Sequence, residues 1–535
     1  MNDVPVFIVG AGPTGLFMAC ELRRRGISVR IIDKKAELTQ GSNATWIQTR
    51  TLEVLDAIGL IDTFLKIGHK CEAINLYANG NIITTLPLSG IDSSFPFILM
   101  LPQSETEYLL TKKLEEYATF IERSVELLDV KKTSTGVQST IRQANGEVKT
   151  LLSDWVIACD GANSTIREKC HISFPGENIT EQFVVADAQM SSSLPTNEIH
   201  FFLDKGTIFP DKNTIFAAFP WGSNKYRLSA NLYLSHPRKF FTESEVKEIV
   251  AERTYGNYIV EKVSWISPFW IHSKLVDKMK DETIFLVGDA AHIHSSIGGQ
   301  GMNTGMQDAY NLAWKLALVI QKKAKVSLLD SYHQERHPVI KELVAETEKI
   351  TKNMLYNKSF FKNLIGFSKK GLPKHKSQKM ASELTELSIC YHQSSIIEYQ
   401  KNKSSGFLQP GERMPDLIAN NGNTLYSHLR NTYHNLLLFT GELIDNHLSM
   451  TIKKLELLTN QKFLGLLHLV IISVHPVKDV ANQIEDEKKY LHTYFKIANR
   501  HIFLLRPDNY IAYQSAKVDI EPIEKCLERY LQCTD

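Results

Sequence analysis

The stretch VFIVGAGPTGLFMACELRRRGISVRIID, residues 6–33, decides the fold. Residues 6–9 are a continuous apolar run ending in glycine, the mark of a strand buried on both faces in a parallel sheet. A helix is expected over about residues 12–25, with Gly26 stopping it. Residues 28–32 read as a second strand that ends at Asp33, which completes a strand–helix–strand unit. Gly10, Gly12 and Gly15 form GxGxxG in the setting the motif requires, between strand and helix. Gly10 permits the tight turn, Gly12 lets backbone approach a pyrophosphate, and Gly15 lets the helix pack close to the strand. The helix N-terminus, which carries Pro13 and Thr14, offers free N–H groups and a partial positive charge to phosphates. Asp33, followed by Lys34, can accept hydrogen bonds from both ribose hydroxyls. Its carboxylate would repel a 2′-phosphate, so the site favours FAD or NAD over NADP.

Two distant segments complete the pattern. They are VIACDGANSTIR, residues 156–167, and IFLVGDAAHIHSSIGGQGMNTGMQDAYNLAWKL, residues 284–316. The first segment alone could hold any dinucleotide, whereas the three together point to FAD. On these residues the chain resembles the class A flavoprotein monooxygenases, with phenol and aromatic-polyketide hydroxylases as its nearest relatives, over essentially its whole length.

The resemblance implies a set of cofactor residues. Gly288 and Asp289 open GDAAH, where the aspartate would bind the ribityl chain. Gly298, Gly299 and Gly301 would bring backbone against the flavin ring, and Met302 and Asn303 would lie beside its pyrimidine. Asp160, Gly161 and Arg167 match a segment tied to both FAD and NADPH. Arg50 matches an arginine near the FAD phosphates, and Gln103 a glutamine near the ribityl chain. The implied reaction is hydroxylation of a phenolic or polycyclic aromatic substrate with NADPH (or NADH) and O₂ through a flavin C4a-hydroperoxide. Many relatives carry Pro-Pro after GDAAH, where this chain has Ser295 and Ser296. His292 and Ser296 are weak catalytic candidates. His292 reads better as a structural hydrogen-bonding residue, and no third ligand is spaced with it and His294 to suit a metal.

The expected fold class is α/β: a glutathione-reductase-type, Rossmann-like FAD-binding domain with an inserted antiparallel β-sheet substrate domain, followed by a C-terminal thioredoxin-like α/β domain. The FAD-binding part is assigned to residues 1–75, 102–180 and 284–350, and the β-rich part to 76–101 and 181–283. Residues 351–405 read as a helical linker segment and 406–535 as the thioredoxin-like domain. QPGERMPD (409–416), LLLFTG (436–441) and LLRPDNYIAY (504–513) carry that last resemblance, with strands expected at 436–439, 469–474 and 502–505 ahead of a final helix. No CxxC occurs, so dithiol exchange is excluded and packing or a homodimer contact is the expected role. The β-rich part should line the substrate pocket, with Phe201, Phe202, Phe216, Phe219, Trp221 and Tyr226 as candidates, though most read as ordinary sheet residues.

Composition bounds the rest. The chain of 535 residues is 43% hydrophobic and 22% charged with net charge +2, a globular composition without a field to attract nucleic acid. No apolar run spans a bilayer, and no cleavable signal is visible ahead of the first strand. The seven cysteines form no pairs with ligand spacing, which fits reduced thiols in the cytoplasm. Seven lysines without an acidic residue across 358–379 read as a solvated loop. A flavin halogenase needs a WxWxIP element that Trp221 and its neighbours do not supply, and a disulfide reductase needs a cysteine pair that Cys71 lacks. An FAD oxidase or reductase on the same fold, or a silent FAD-binding scaffold, are the competing expectations.

Overall fold

The computed structural model describes residues 2–38, 44–205, 213–234, 236–295, 298–357, 373–398, 408–419, 422–442, 446–478, 480 and 482–532. Its first sheet is built around β1 (Val4–Val9), which is followed by α1 (Pro13–Arg24) and β2 (Val29–Asp33). Strand Val148–Ala158 lies parallel to β1 on one side and β2 lies parallel on the other. Strand Ile284–Leu286 pairs in parallel beyond Val148–Ala158. The registers align Val9 with Ala158 and Ala158 with Leu286, so these strands finish at one edge. Every branched or aromatic side chain from Val6 to Val9 is buried, as expected for a strand covered on both faces. This alignment explains why three segments so far apart in sequence meet: ligands gather at the carboxyl ends of such strands.

The second sheet has eight strands. Its central member Gly176–Ser192 lies between Tyr258–Leu275 and Lys225–Leu232, and Asn213–Gly222, Glu198–Lys205, Ala73–Ala78 and Asn81–Pro87 follow outward. Side chains alternate across it with period two. Tyr226, Leu228, Ala230, Phe202 and Phe216 face an outer core beneath helix Glu243–Thr254. That helix starts with a capping box between Thr242 and Glu245. The short strand His292–Ile293 pairs with Lys274 and Leu275, so the GDAAH segment runs directly from the first sheet to the second.

A third sheet orders Gln483–Glu485, Leu467–Ser473, His434–Phe439, His501–Leu505 and Ile511–Ser515. Strands 511–515 and 483–485 were not expected from sequence, because both are short and bounded by polar residues. The loop between His501–Leu505 and Ile511–Ser515 is driven into the first domain. Arg506, wholly buried, bonds Glu335 at 2.6 and 2.9 Å and also Asp508, while Trp314 donates to Asp508 at 3.1 Å. Lys315 closes the cluster on Glu335 at 2.7 Å. Each buried charge thus has an opposite partner, without which its desolvation would be prohibitive. Residues 358–372, most of the lysine-rich segment, and the expected boundary at Gly406 lie outside the described residues, as does Ser296. Among the described residues no helix is long and apolar enough to cross a membrane.

Candidate active site

One cavity of about 810 Å³ opens where the carboxyl edge of the first sheet faces the second sheet. Gly10, Gly12, Pro13, Thr14, Asp33 and Lys34 line one end of it. Gly10 has φ +101°, and a Cβ there would lie 2.1 Å from the Cys159 carbonyl oxygen. A Cβ on Gly15 would lie 1.9 Å from the Gly10 oxygen, so this glycine sets the approach of α1 to β1. Gly12 differs: nothing lies within 4 Å of where its Cβ would be, because that side faces the cavity. Asp33 accepts from the Ala11 N–H at 2.7 Å and the Lys35 N–H at 2.8 Å, which fixes its carboxylate at the rim.

Asp160 and Asp289 line the middle of the cavity beside Gln103, whose amide donates to Glu107 at 2.8 Å. Asp160 accepts from the Ile166 N–H at 3.2 Å through one oxygen, while the other is buried without a partner. Burial pushes its carboxyl above the usual range. Asp289 is ringed by protein, yet its side chain is exposed to the open cavity and makes no hydrogen bond among the described residues. Burial raises its carboxyl too, with His292 pulling the other way. The open oxygen of Asp160 and the carboxyl of Asp289, set against a glycine turn at a helix N-terminus, fit a polyhydroxylated dinucleotide such as FAD. Gly299, Gly301 and Met302 continue the wall to the start of helix Gly301–Ile320.

Other expected residues stand behind the wall rather than on it. Gly288 has φ +63°, a Cβ there would lie 2.8 Å from Thr14 Oγ1, and its N–H donates to Asp308 at 3.2 Å. Asn303 donates to the Trp46 and Gly299 carbonyl oxygens and accepts from the Gln48 N–H at 2.8 Å, holding strand and glycine loop together. Arg167 lies over the Phe174 ring and donates to the carbonyl oxygens of Ala290 and Ala162, which ties the Asp160 and Asp289 turns to each other. Arg50, expected near the FAD phosphates, is not brought to the cavity. It is 2% exposed, bonds Glu53 at 2.8 Å and the Asp508 carbonyl at 2.9 Å, and lies over Tyr510. Glu53 on its own helix and the Asp508 carbonyl hold it there.

His292 lines the cavity with Nε2 hydrogen-bonded to Asp308 at 2.7 Å, and its Nδ1 is buried without a partner among the described residues. Asp308 in turn receives Arg336 Nε at 2.7 Å. Burial pushes the Asp308 carboxyl up, but Arg336 and His292 outweigh it and hold the group below the ordinary range. His294 stacks parallel to His292 with ring centres 6.2 Å apart. Burial, with His292 beside it, brings its pKa down to about 4, so the ring stays neutral. Neither Asp308 nor Arg336 was singled out from sequence; both lie on long helices where a charged residue reads as surface.

The far wall is one face of the second sheet. Phe183, Val185, Phe201, Ile215, Ala217 and Phe219 project there, joined by Phe269 and Trp270. Of the expected aromatics, Phe201 and Phe219 line the cavity, and Trp221 packs against the same small core. Phe202, Phe216 and Tyr226 fall on the opposite face.

Residues 3–347 match the family model described as FAD binding domain. The chain is 30% identical to an uncharacterized aromatic compound monooxygenase of Bacillus subtilis (strain 168), covering 100% of this chain and 99% of that protein. It is 32% identical to pentachlorophenol 4-monooxygenase of Sphingobium chlorophenolicum over 64% of each chain. Among solved structures, anhydrotetracycline hydroxylase from Streptomyces rimosus superimposes with a TM-score of 0.74 at 26% identity, covering 98% of this chain and 99% of that one.

Proposed function

Because the chain belongs to the FAD binding domain family, and its relatives are monooxygenases of aromatic compounds, we propose that it hydroxylates a phenolic or polycyclic aromatic substrate with NAD(P)H and O₂. The observation that carries this reading is the continuity of one cavity, from the glycine turn, Asp160 and Asp289 to an aromatic wall on the second sheet. FAD, when bound, supplies hydride acceptance and activation of O₂, chemistry that no side chain here provides.

The chain's own residues do the holding and the screening. Gly10, Gly12 and the N-terminus of α1 would take the pyrophosphate, Asp33 the ribose hydroxyls, and Asp289 with Asp160 the remaining hydroxyl donors. The N-terminus of helix Gly301–Ile320 presents partial positive charge beside Gly301 and Met302, where a flavin ring would gain negative charge. Phe183, Phe219 and Phe269 would exclude water from the reacting ring and hold the substrate flat against the sheet. His294 keeps a neutral imidazole, with Nε2 as an acceptor for a phenol proton.

In this reading the protein works in the cytoplasm, and the C-terminal sheet is a thioredoxin-like domain without redox function that packs against the FAD-binding part and offers a surface for a homodimer. Anaerobic stopped-flow reduction of the bound flavin by NADPH, with and without a panel of phenols and hydroxyquinones, tests the function. Acceleration by at least one ring compound is the expected result. A flavin that NADPH never reduces would overturn it.

A further inference from the structure

From Tyr226 to Leu232, every residue of strand Lys225–Leu232 is buried except Ser229, which is half-exposed. The strand is paired on both sides, with Asn213–Gly222 and with Gly176–Ser192, so no sheet edge accounts for that exposure. Tyr226, Leu228 and Ala230 fill the outer core on one face, which sends Ser229 to the other. Ser229 is therefore bared toward the cavity, which it lines. Its hydroxyl has no hydrogen-bond partner among the described residues and is not sealed off from the cavity.

Ser229 belongs to a row of small side chains. It pairs across the sheet with Ala217 on one side and Val185 on the other, and Val185 pairs in turn with Ser267. All four line the cavity, and Val185 and Ser267 are half-exposed like Ser229. Two residues along the strands, Ile215, Phe183 and Phe269 stand on one side of this row, and Phe219 stands on the other. The row is thus the floor of a trough with apolar, mostly aromatic banks. Neighbouring strands lie about 4.8 Å apart, so the floor from Ala217 to Ser267 is roughly 14 Å long. Phe201, next in the row after Ala217, meets Trp46 and Phe219 edge-on and closes that end. A single ring would fill less than half of the floor, and a tricyclic ring system most of it.

We infer that Ser229 is a specificity-determining residue: its hydroxyl, midway along a trough that takes a flat fused-ring substrate, hydrogen-bonds an oxygen borne on that ring system. This rests on the hydroxylase reading above and narrows it to fused aromatics that carry such an oxygen besides the one introduced. A ligand laid on the floor displaces solvent from the Ser229 hydroxyl. A bare hydrocarbon edge leaves that hydroxyl dry, whereas an oxygen at the same place restores the lost hydrogen bond. Because a serine hydroxyl both donates and accepts, ketone and hydroxyl substituents are both served.

The test uses the FAD-loaded protein and four probes: phenol, 2-hydroxyfluorene, 2-hydroxyfluoren-9-one and 2,7-dihydroxyfluorene. The last three share one flat tricyclic frame and differ only in a second oxygen, a ketone or a hydroxyl. Perturbation of the flavin absorbance gives each Kd. The ketone, the diol or both should bind about threefold to tenfold tighter than 2-hydroxyfluorene, the size of a neutral hydrogen bond. Ser229→Ala should erase that preference and leave the 2-hydroxyfluorene Kd within about twofold. Ser229→Phe fills the floor, so it should weaken all three tricyclic probes by about 10-fold or more and phenol by no more than about threefold. FAD content and melting temperature report that each variant is folded. Equal affinities of the three tricyclic probes in the parent, or a preference that survives Ser229→Ala, would overturn the role of Ser229. Tricyclic probes that bind Ser229→Phe as tightly as the parent would overturn the trough. If 2-hydroxyfluorene speeds NADPH reduction of the flavin while the second oxygen gains nothing, the Ser229 assignment falls and the hydroxylase reading stands. If NADPH never reduces the flavin with any probe, the hydroxylase reading falls as well.

Discussion

Arg336 Nε lies 2.7 Å from Asp308 Oδ1 with both side chains completely buried, and the other Asp308 oxygen receives His292 and the Gly288 N–H. One carboxylate therefore joins a helix, a cavity histidine and the turn that carries Asp289. Asp308→Asn keeps the shape and removes the charge, which leaves Arg336 unpaired in the core. The expected cost is about 3–5 kcal/mol, read as a fall in melting temperature. Because Asp308 titrates below its ordinary range, its contribution is present above the unfolded pKa and is lost as pH falls through the folded one. The gap between parent and variant should thus narrow under acid.

The two glycines of the first turn should fail in different ways. Gly15→Ala places a methyl 1.9 Å from the Gly10 carbonyl oxygen, and backbone must move to admit it. The chain should misfold or lose most of its stability. Gly12→Ala meets nothing within 4 Å, so the protein should melt close to the parent and yet retain far less FAD after gel filtration. Equal FAD content in Gly12→Ala and parent would contradict the placement of the pyrophosphate.

Asp289 combines confinement with the lack of a partner. Asp289→Ala removes a carboxyl that burial already disfavours, so the FAD-free protein should be as stable as the parent or slightly more so. FAD affinity should fall by 10-fold or more, since a hydrogen bond to a charged group is worth about 1.5–3 kcal/mol. Melting of apo and FAD-loaded protein side by side separates the two effects.

Glu386 sits with φ +62° beneath helix Gly301–Ile320, where Gln307 and Thr304 both donate to its carboxyl. Burial pushes its pKa up to about 8, against the pull of Arg336 and with Asp308 adding to the rise. A carboxyl raised in the folded state favours folding while protonated. Its contribution is complete below the unfolded pKa and is lost as pH rises toward 8. Glu386→Gln should therefore gain stability over the parent as pH rises from 5, in a melting series, by an amount that grows with pH and levels off above about 8. A constant offset would mean that Glu386 does not titrate in this range.

That Gly10, Asp160 and Asp289 would meet was legible because it depends on strand ends and short spacings. Gly10, Asp160 and Asp289 each follow a short apolar run, and parallel pairing of those runs brings them together. The cavity wall on the second sheet was not legible. In KYRLSANL the apolar residues stand out, while the informative one, Ser229, belongs to the alternate set that faces the cavity. Reading it requires knowing which face of the sheet is covered by a helix. Arg50 lies away from the cavity for a related reason: besides Glu53 on its own helix, it is held by the Asp508 carbonyl, 458 residues away, and no local pattern records that.

The buried contact between Arg506 and Glu335 also constrains the order in which the protein can be finished. The two residues stand 171 positions apart, and Arg506 is near the end of the chain. At ordinary rates of synthesis, about 5–20 residues per second, Glu335 and Lys315 leave the ribosome roughly 10–30 s before their partner exists. During that interval the flavin-binding part carries an acidic and a basic side chain with Trp314 exposed where a core will later form. A chain that stops short of residue 506 would keep that face open for good, so loss of the last 30 residues should make the flavin-binding part aggregate.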